Sequence, residues 1–261
     1  MDELPGRDLD RVRHLFEAEH LALAIDAMVA GNSPATAWVD DGAKPRAAAI
    51  WDGSHSLYIG GPAERARLLS TAISRHVASA RPGLVKVYAT ESAAGAALAG
   101  RKLDRRDRVF YRGGKLLIQD WQSRLPAELR ISSIRDEFRQ VGVLGNFADV
   151  ASEIESCWPS MDDFLRAGFG FCAHDGETIV CWCTAEYVSN GRCGIGIETV
   201  PGYRGQGVAT LTASAFVDHC AARDITPHWD SWSSNAPSVA VAKKVGFREV
   251  ETYSTFVTQL S

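Results

Sequence analysis

The amino-acid sequence predicts a mixed α/β protein made of two modules. Three observations carry that reading. Short apolar runs of strand length recur, cut by Asp-Gly and Asn-Gly turns. Longer stretches between them space their apolar residues as helices do. The succession of strands, helix and strand then starts afresh beyond residues 121–126, and 261 residues lie on the border between one domain and two. The expected modules are 1–126 and 127–261.

The elements follow in order. Residues 8–30 read as a helix, with Val12, Leu15, Phe16 and Leu23 at helical spacing and Gly31-Asn32 closing it. Strands are expected at 35–39, 47–51 and 56–59, a helix at 63–79, a strand at 84–88 after Pro82-Gly83, and a strand at 108–112. Past the seam, a strand at 129–132 leads through helical material to 167. Strands at 168–173, 178–187 and 193–200 follow, joined by tight turns. A Gly-rich loop, a helix at 208–223, a strand at 225–229, a helix at 237–245 and a strand at 248–257 complete the pattern. No residue-level repeat links the two halves.

Composition narrows the function classes. Hydrophobic residues make up 46% and charged residues 23%, ordinary for a globular protein. The net charge of −4 and the scattered Lys and Arg argue against nucleic acid or an anionic membrane as partner. Residues 1–13 lack the features of a signal peptide, and the apolar stretch 21–30 is short and carries Asp26, so a cytoplasmic protein is expected. The six cysteines form no CxxC pair, and no His pair completes a zinc set, so no metal is expected.

The most informative segment runs from Ile195 to Thr210, reading IGIETVPGYRGQGVAT. An apolar strand enters a Pro/Gly turn, a basic Gly-rich loop and then a helix. Such a junction presents N–H groups and the positive helix end to an anion. It is neither a Walker A loop nor a dinucleotide fingerprint, because the Lys-Ser/Thr and the three spaced glycines are absent.

Arg204, Gly207 and Ala209 match the signature of the GNAT superfamily of N-acetyltransferases, Arg/Gln-x-x-Gly-x-Gly/Ala, which this segment resembles. Asn235-Ala236-Pro237-Ser238 and Lys244-Val245-Gly246-Phe247 resemble the family's closing segment. The resemblance covers 127–261 and implies acetyl-CoA as co-substrate. It places the pyrophosphate on Gly205, Gln206, Gly207, Val208, Ala209 and Thr210 after Arg204, with Asn235 and Ser238 near the CoA arm. It is nearest to a branch with a degenerate GNAT-like half ahead of the active one, some members of which protect producers from amine-bearing antibiotics. Residues 1–126 hold no Arg-x-x-Gly-x-Ala loop and are expected to fold like such a half without binding CoA.

Gly194, Gly196 and Pro227 weaken strands, which agrees with the family's splayed strand pair; a proline at a strand's start is the plain alternative. The N–H groups of Thr199 and Val200 are expected to orient the thioester. Acyl transfer to an amine benefits from a base, for which Glu198 is the first candidate, facing a semi-buried cleft, and Asp230 the second. A carboxylate paired with a nearby Arg is the competing reading of Glu198. Where many family members have a general-acid Tyr, this sequence has Ala242. The expected acceptor is a small-molecule amine; a protein lysine or N-terminal amine, or a non-catalytic acyl-CoA-binding module, are the alternatives.

Overall fold

The computed structural model describes residues 2–77 and 83–260. The chain divides into two compact units, residues 1–108 with 253–261, and residues 109–252. The stretch expected as a seam, 121–126, lies inside the second unit, where Trp121–Arg124 forms a 3-10 turn.

In the first unit, β1 (Asp2–Leu4), β2 (Thr36–Val39), β3 (Ala48–Trp51) and β4 (Ser56–Gly60) pair antiparallel in chain order. β5 (Leu84–Tyr88) lies parallel to β4, and residues 256–259 run antiparallel to β5. Trp38, Leu57, Ile59, Val85, Val87 and Phe256 build one buried cluster with Leu69, Ile73 and Leu98.

The helix expected over 8–30 is two pieces: a 3-10 helix, Gly6–Leu15, and α1 (Glu19–Val29), separated by extended Ala18. The break lets Arg13 bond the buried carboxylate of Asp26 at 2.6 Å. The run expected over 63–79 is helical through Val77, as α2 (Ala63–Ala66), a 3-10 turn, α3 (Ser70–Ala72) and a π turn. Ser79, and Pro82 of the following turn, lie outside the described residues. Two elements were absent from the sequence reading: β1, and α4 (Glu91–Ala97), which Thr90 caps by accepting the Ala93 N–H at 3.3 Å.

The second unit begins within β6 (Asp104–Arg112). It contains β7 (Arg130–Ser133), α5 (Phe138–Val141), α6 (Phe147–Cys157), α7 (Met161–Ala167), β8 (Gly170–His174), β9 (Ile179–Ser189), β10 (Arg192–Thr199), α8 (Val208–Ala221), β11 (Thr226–Trp232) and α9 (Ala236–Val245). β12 (Arg248–Gln259) begins here and ends in the first unit. Its sheet runs β7-β8-β9-β10-β11-β6. Neighbours are antiparallel from β7 to β10, and β10 and β11 are parallel. Strand alternation divides the apolar residues between the two faces. Cys183, Ile195 and Trp229 pack with Phe216, Ala242 and Val245 of α8 and α9, whereas Trp182 and Cys172 pack with Val150, Ile154 and Phe164 of α6 and α7. Among the described residues no helix is long and apolar enough to cross a membrane.

Candidate functional site

The site lies where β10 and β11 separate. Their pairing covers only Arg192↔Thr226, Cys193↔Pro227 and Gly194↔His228, although both strands continue. β10 stays paired with β9 as far as Thr199, so β10 follows β9 away from β11. A register shift between Cys193 and Ile195 marks the place, and a bulge bends the strand that carries it.

Pro227 is not what ends the pairing. It is the second residue of β11, and the Thr226 N–H already donates to Gly191 O at 2.8 Å on the β10 side. Alternation therefore turns the proline nitrogen toward β6, where Pro227 O accepts the Gly113 N–H at 2.7 Å.

The same alternation decides which backbone groups of β10 are open. Val200 N–H donates to Val180 O at 3.0 Å, so it belongs to the β9 side. This corrects the expectation that Val200 offers its N–H to a thioester. Ile195, Ile197 and Thr199, out of phase with Val200, turn their N–H and C=O groups away from β9 into the opening. Thr199 O there accepts Arg204 Nε at 2.9 Å.

Beyond the opening the chain makes a 3-10 turn, Pro201–Tyr203, and enters α8 through Gly205 and Gly207. Both glycines have positive φ, +77° and +83°, which an L side chain rarely adopts. A Cβ on either would meet no protein atom within 4 Å. Gly207 is the N-cap, and no side chain caps the helix, so the first-turn N–H groups of Val208, Ala209 and Thr210 lack intrahelical acceptors. Gln206 Nε2 braces the loop by donating to Gly202 O at 2.7 Å. These residues fit a pyrophosphate: dipole, uncapped donors and bare backbone converge at one point.

The other expected residues have specific places. Glu198 is not in a semi-buried cleft; its side chain is 50% exposed and accepts Arg204 Nη2 at 2.8 Å, which agrees with the competing reading of a paired carboxylate. Asp230 is half-buried in β11, beyond the last pair with β10. Asn235 caps α9 by accepting the Ser238 N–H at 3.3 Å, and Ser238 Oγ accepts Trp229 Nε1 at 3.0 Å. Ala242 is a fully buried residue of α9, with its carbonyl taken by Gly246 and Phe247. The six cysteines are all buried and none forms a disulfide. Burial pushes the Cys193 thiol far above the ordinary range, which removes its nucleophilic form.

The sequence profile of the GNAT acetyltransferase family matches residues 13–256. The chain belongs to that family. An uncharacterized N-acetyltransferase of Bacillus subtilis (strain 168), YdfB, is 35% identical over 102 residues, which are 39% of this chain and 39% of that protein. Among solved structures, a GCN5-related N-acetyltransferase-like protein from Streptococcus suis 89/1591 superposes with a TM-score of 0.74 at 17% identity, over 97% of this chain and 98% of that one. A tandem GNAT protein from the clavulanic acid biosynthesis pathway gives 0.57 at 16%, over 99% and 98%. At these identities the structures speak for the fold, a mixed α/β arrangement of two GNAT-like modules.

Within this GNAT fold the sequence reading overlooked three groups. Glu153 of α6 and Glu186 of β9 bring carboxylate oxygens over Gly196. His228 is 5% exposed, neither ring nitrogen has a hydrogen-bond partner, and its pKa is driven down to about 4, first by burial and then by Arg192 and Arg112. The available signals were a glutamate ending an apolar strand and the glycine facing it.

Proposed function

We propose that the second unit transfers an acetyl group from acetyl-CoA to the amine of a small molecule, by direct attack without an acyl-enzyme. The parting of β10 and β11 beside an uncapped α8 is the observation that carries this reading. The N–H groups of residues 205–210 would receive the pyrophosphate, with Arg204 holding the loop to Glu198 and Thr199. The outward N–H groups of Ile197 and Thr199 would orient the acyl donor. Acetyl-CoA, when bound, supplies an activated thioester whose thiolate leaves without help, since thiol pKa values lie near ~8.5. Buried Ala242 is compatible with that unassisted departure.

The amine must shed its proton before attack. A lysine-like amine of pKa ~10.4 is held neutral at pH 7 at a cost of about 4.6 kcal/mol, so a nearby carboxylate is useful. Glu198 and Asp230 are the proposed acceptors, Glu198 only by loosening its bond to Arg204. All these groups fall within 127–261. Residues 1–126, with no comparable loop, are proposed as a GNAT-like half that binds no CoA and bears on acceptor choice.

The experiment is a CoA-release screen of the full chain against amine libraries, including aminoglycosides, polyamines and lysine peptides. Amine-dependent release with one class of small amine is the expected result. Acetyl-CoA binding without turnover on any amine would favour a non-catalytic module, the reading that Ala242 in place of Tyr also suits.

A further inference from the structure

Gly196 lies in mid-strand at negative φ, so its backbone does not call for glycine, and a glycine there weakens the strand. Its surroundings give a reason for it. The point where a Cβ would stand is 2.7 Å from Glu186 Oε1 and 3.2 Å from Glu153 Oε1. The two carboxylate oxygens therefore stand less than about 6 Å from each other above the bare glycine, close enough for one ammonium group between them to bond both.

A second, independent feature faces the same surface. His228 is the register partner of Gly194, so its ring stands on the side to which a Gly194 side chain would point. There Tyr187 Cδ2 and Glu186 Cβ lie 3.4 and 3.7 Å from the position of the missing Cβ. The buried ring has Phe110 edge-on at 5.1 Å, and both of its nitrogens lack protein partners. A buried polar group without a partner is strongly disfavoured unless something else meets it.

We propose that Glu153, Glu186 and His228 form the acceptor subsite, taking a small molecule with an ammonium group over Gly196 and a second hydrogen-bonding group against His228. The two positions are two residues apart on neighbouring strands, which separates the groups by roughly 7–8 Å. The subsite lies over the strand whose far edge opens toward β11, one strand width from the outward N–H groups of Ile197 and Thr199. This inference rests on the amine-acetylation reading and names its substrate class.

The probes are 5-amino-1-pentanol, pentylamine and 1,5-pentanediol, titrated into the full chain without acyl donor and followed by NMR. Aminopentanol is expected to bind best, pentylamine more weakly, and the uncharged diol not at all. The double variant Glu153→Gln, Glu186→Gln should lose at least tenfold in affinity for both amines while still binding acetyl-CoA. His228→Phe should erase the preference for aminopentanol over pentylamine, and Gly196→Ala should displace the carboxylates and mimic the double variant. Wild-type protein that ignores all three probes, or variants that bind the amines unchanged, would overturn the subsite and leave the acetyl-CoA reading standing. Loss of acetyl-CoA binding by wild-type protein would instead sink the proposed function.

Discussion

Gly207→Asp tests the loop most directly, because its effects on folding and on binding separate. Gly207 has φ +83° and ψ −5°, and a Cβ there meets no protein atom within 4 Å. The left-handed conformation costs an L residue about 1–2 kcal/mol, and aspartate in place of glycine at an N-cap returns only about 0.3 kcal/mol. Stability should therefore fall by about 1–2 kcal/mol, which leaves an ordinary domain folded. Binding should not escape so lightly. A carboxylate at ~4 Å from one phosphate charge, at an effective dielectric near ~20, opposes it by about 4 kcal/mol. Solvent and salt screening reduce this, so a loss of at least about thirtyfold in acetyl-CoA affinity is expected. Gly207→Ala, which carries the strain without the charge, should lose far less. Calorimetric titration of both variants, with a thermal melt to confirm folding, makes the measurement. A folded Gly207→Asp chain that binds acetyl-CoA like wild type would remove the loop from the cofactor site.

Two further outcomes are expected. Glu198→Gln should lower kcat about tenfold or more at neutral pH and shift acetyl-CoA affinity only slightly, because the exposed pair with Arg204 is worth less than about 1 kcal/mol; the deficit should shrink at high pH, and an unchanged kcat would pass the role to Asp230 or to the carboxylates over Gly196. His228, neutral and buried with its pKa lowered to about 4, takes up its proton in the unfolded chain near pH 6.5, well before the folded chain does. Stability present above pH 6.5 is thus lost as pH falls toward 4, by about 2 kcal/mol at pH 5 for this residue. Urea midpoints at pH 7.5 and pH 5.0 should draw closer together in His228→Phe, and an identical acid sensitivity in that variant would refute the assignment.

Much of the fold was legible because its strands are short apolar runs between turn residues. β2, β3, β4, β9 and β10 sit where the spacing put them. Helix continuity was less so: the stretch through Phe16 keeps its apolar period, and only the reach of Arg13 to Asp26 gives a reason for the chain to break there. The loop was readable because Gly205 and Gly207 serve a backbone need that shows in the residue type itself. Val200 was misassigned because the direction of an N–H depends on strand register, which Val180 sets from across the sheet. Glu153, Glu186 and His228 were illegible as a group, since three distant segments come to one face of the sheet, beside Gly194 and Gly196, only after β9, β10, β11 and α6 have packed.

The division of the first unit between two stretches of chain has a consequence for biosynthesis. Thr255 Oγ1 donates to Val87 O at 2.7 Å across 168 positions, and Phe256 and Val257 then pair with β5. Until those residues leave the ribosome, β5 presents an unpaired edge, and the cluster around Val85 and Val87 lacks Phe256 and Leu260. At typical rates of ~5–20 residues per second the wait lasts roughly 10–30 s. The part translated first is therefore among the last to finish folding, exposed meanwhile to chaperones and proteases, while the interposed second unit, which ends at residue 252, is fully translated earlier.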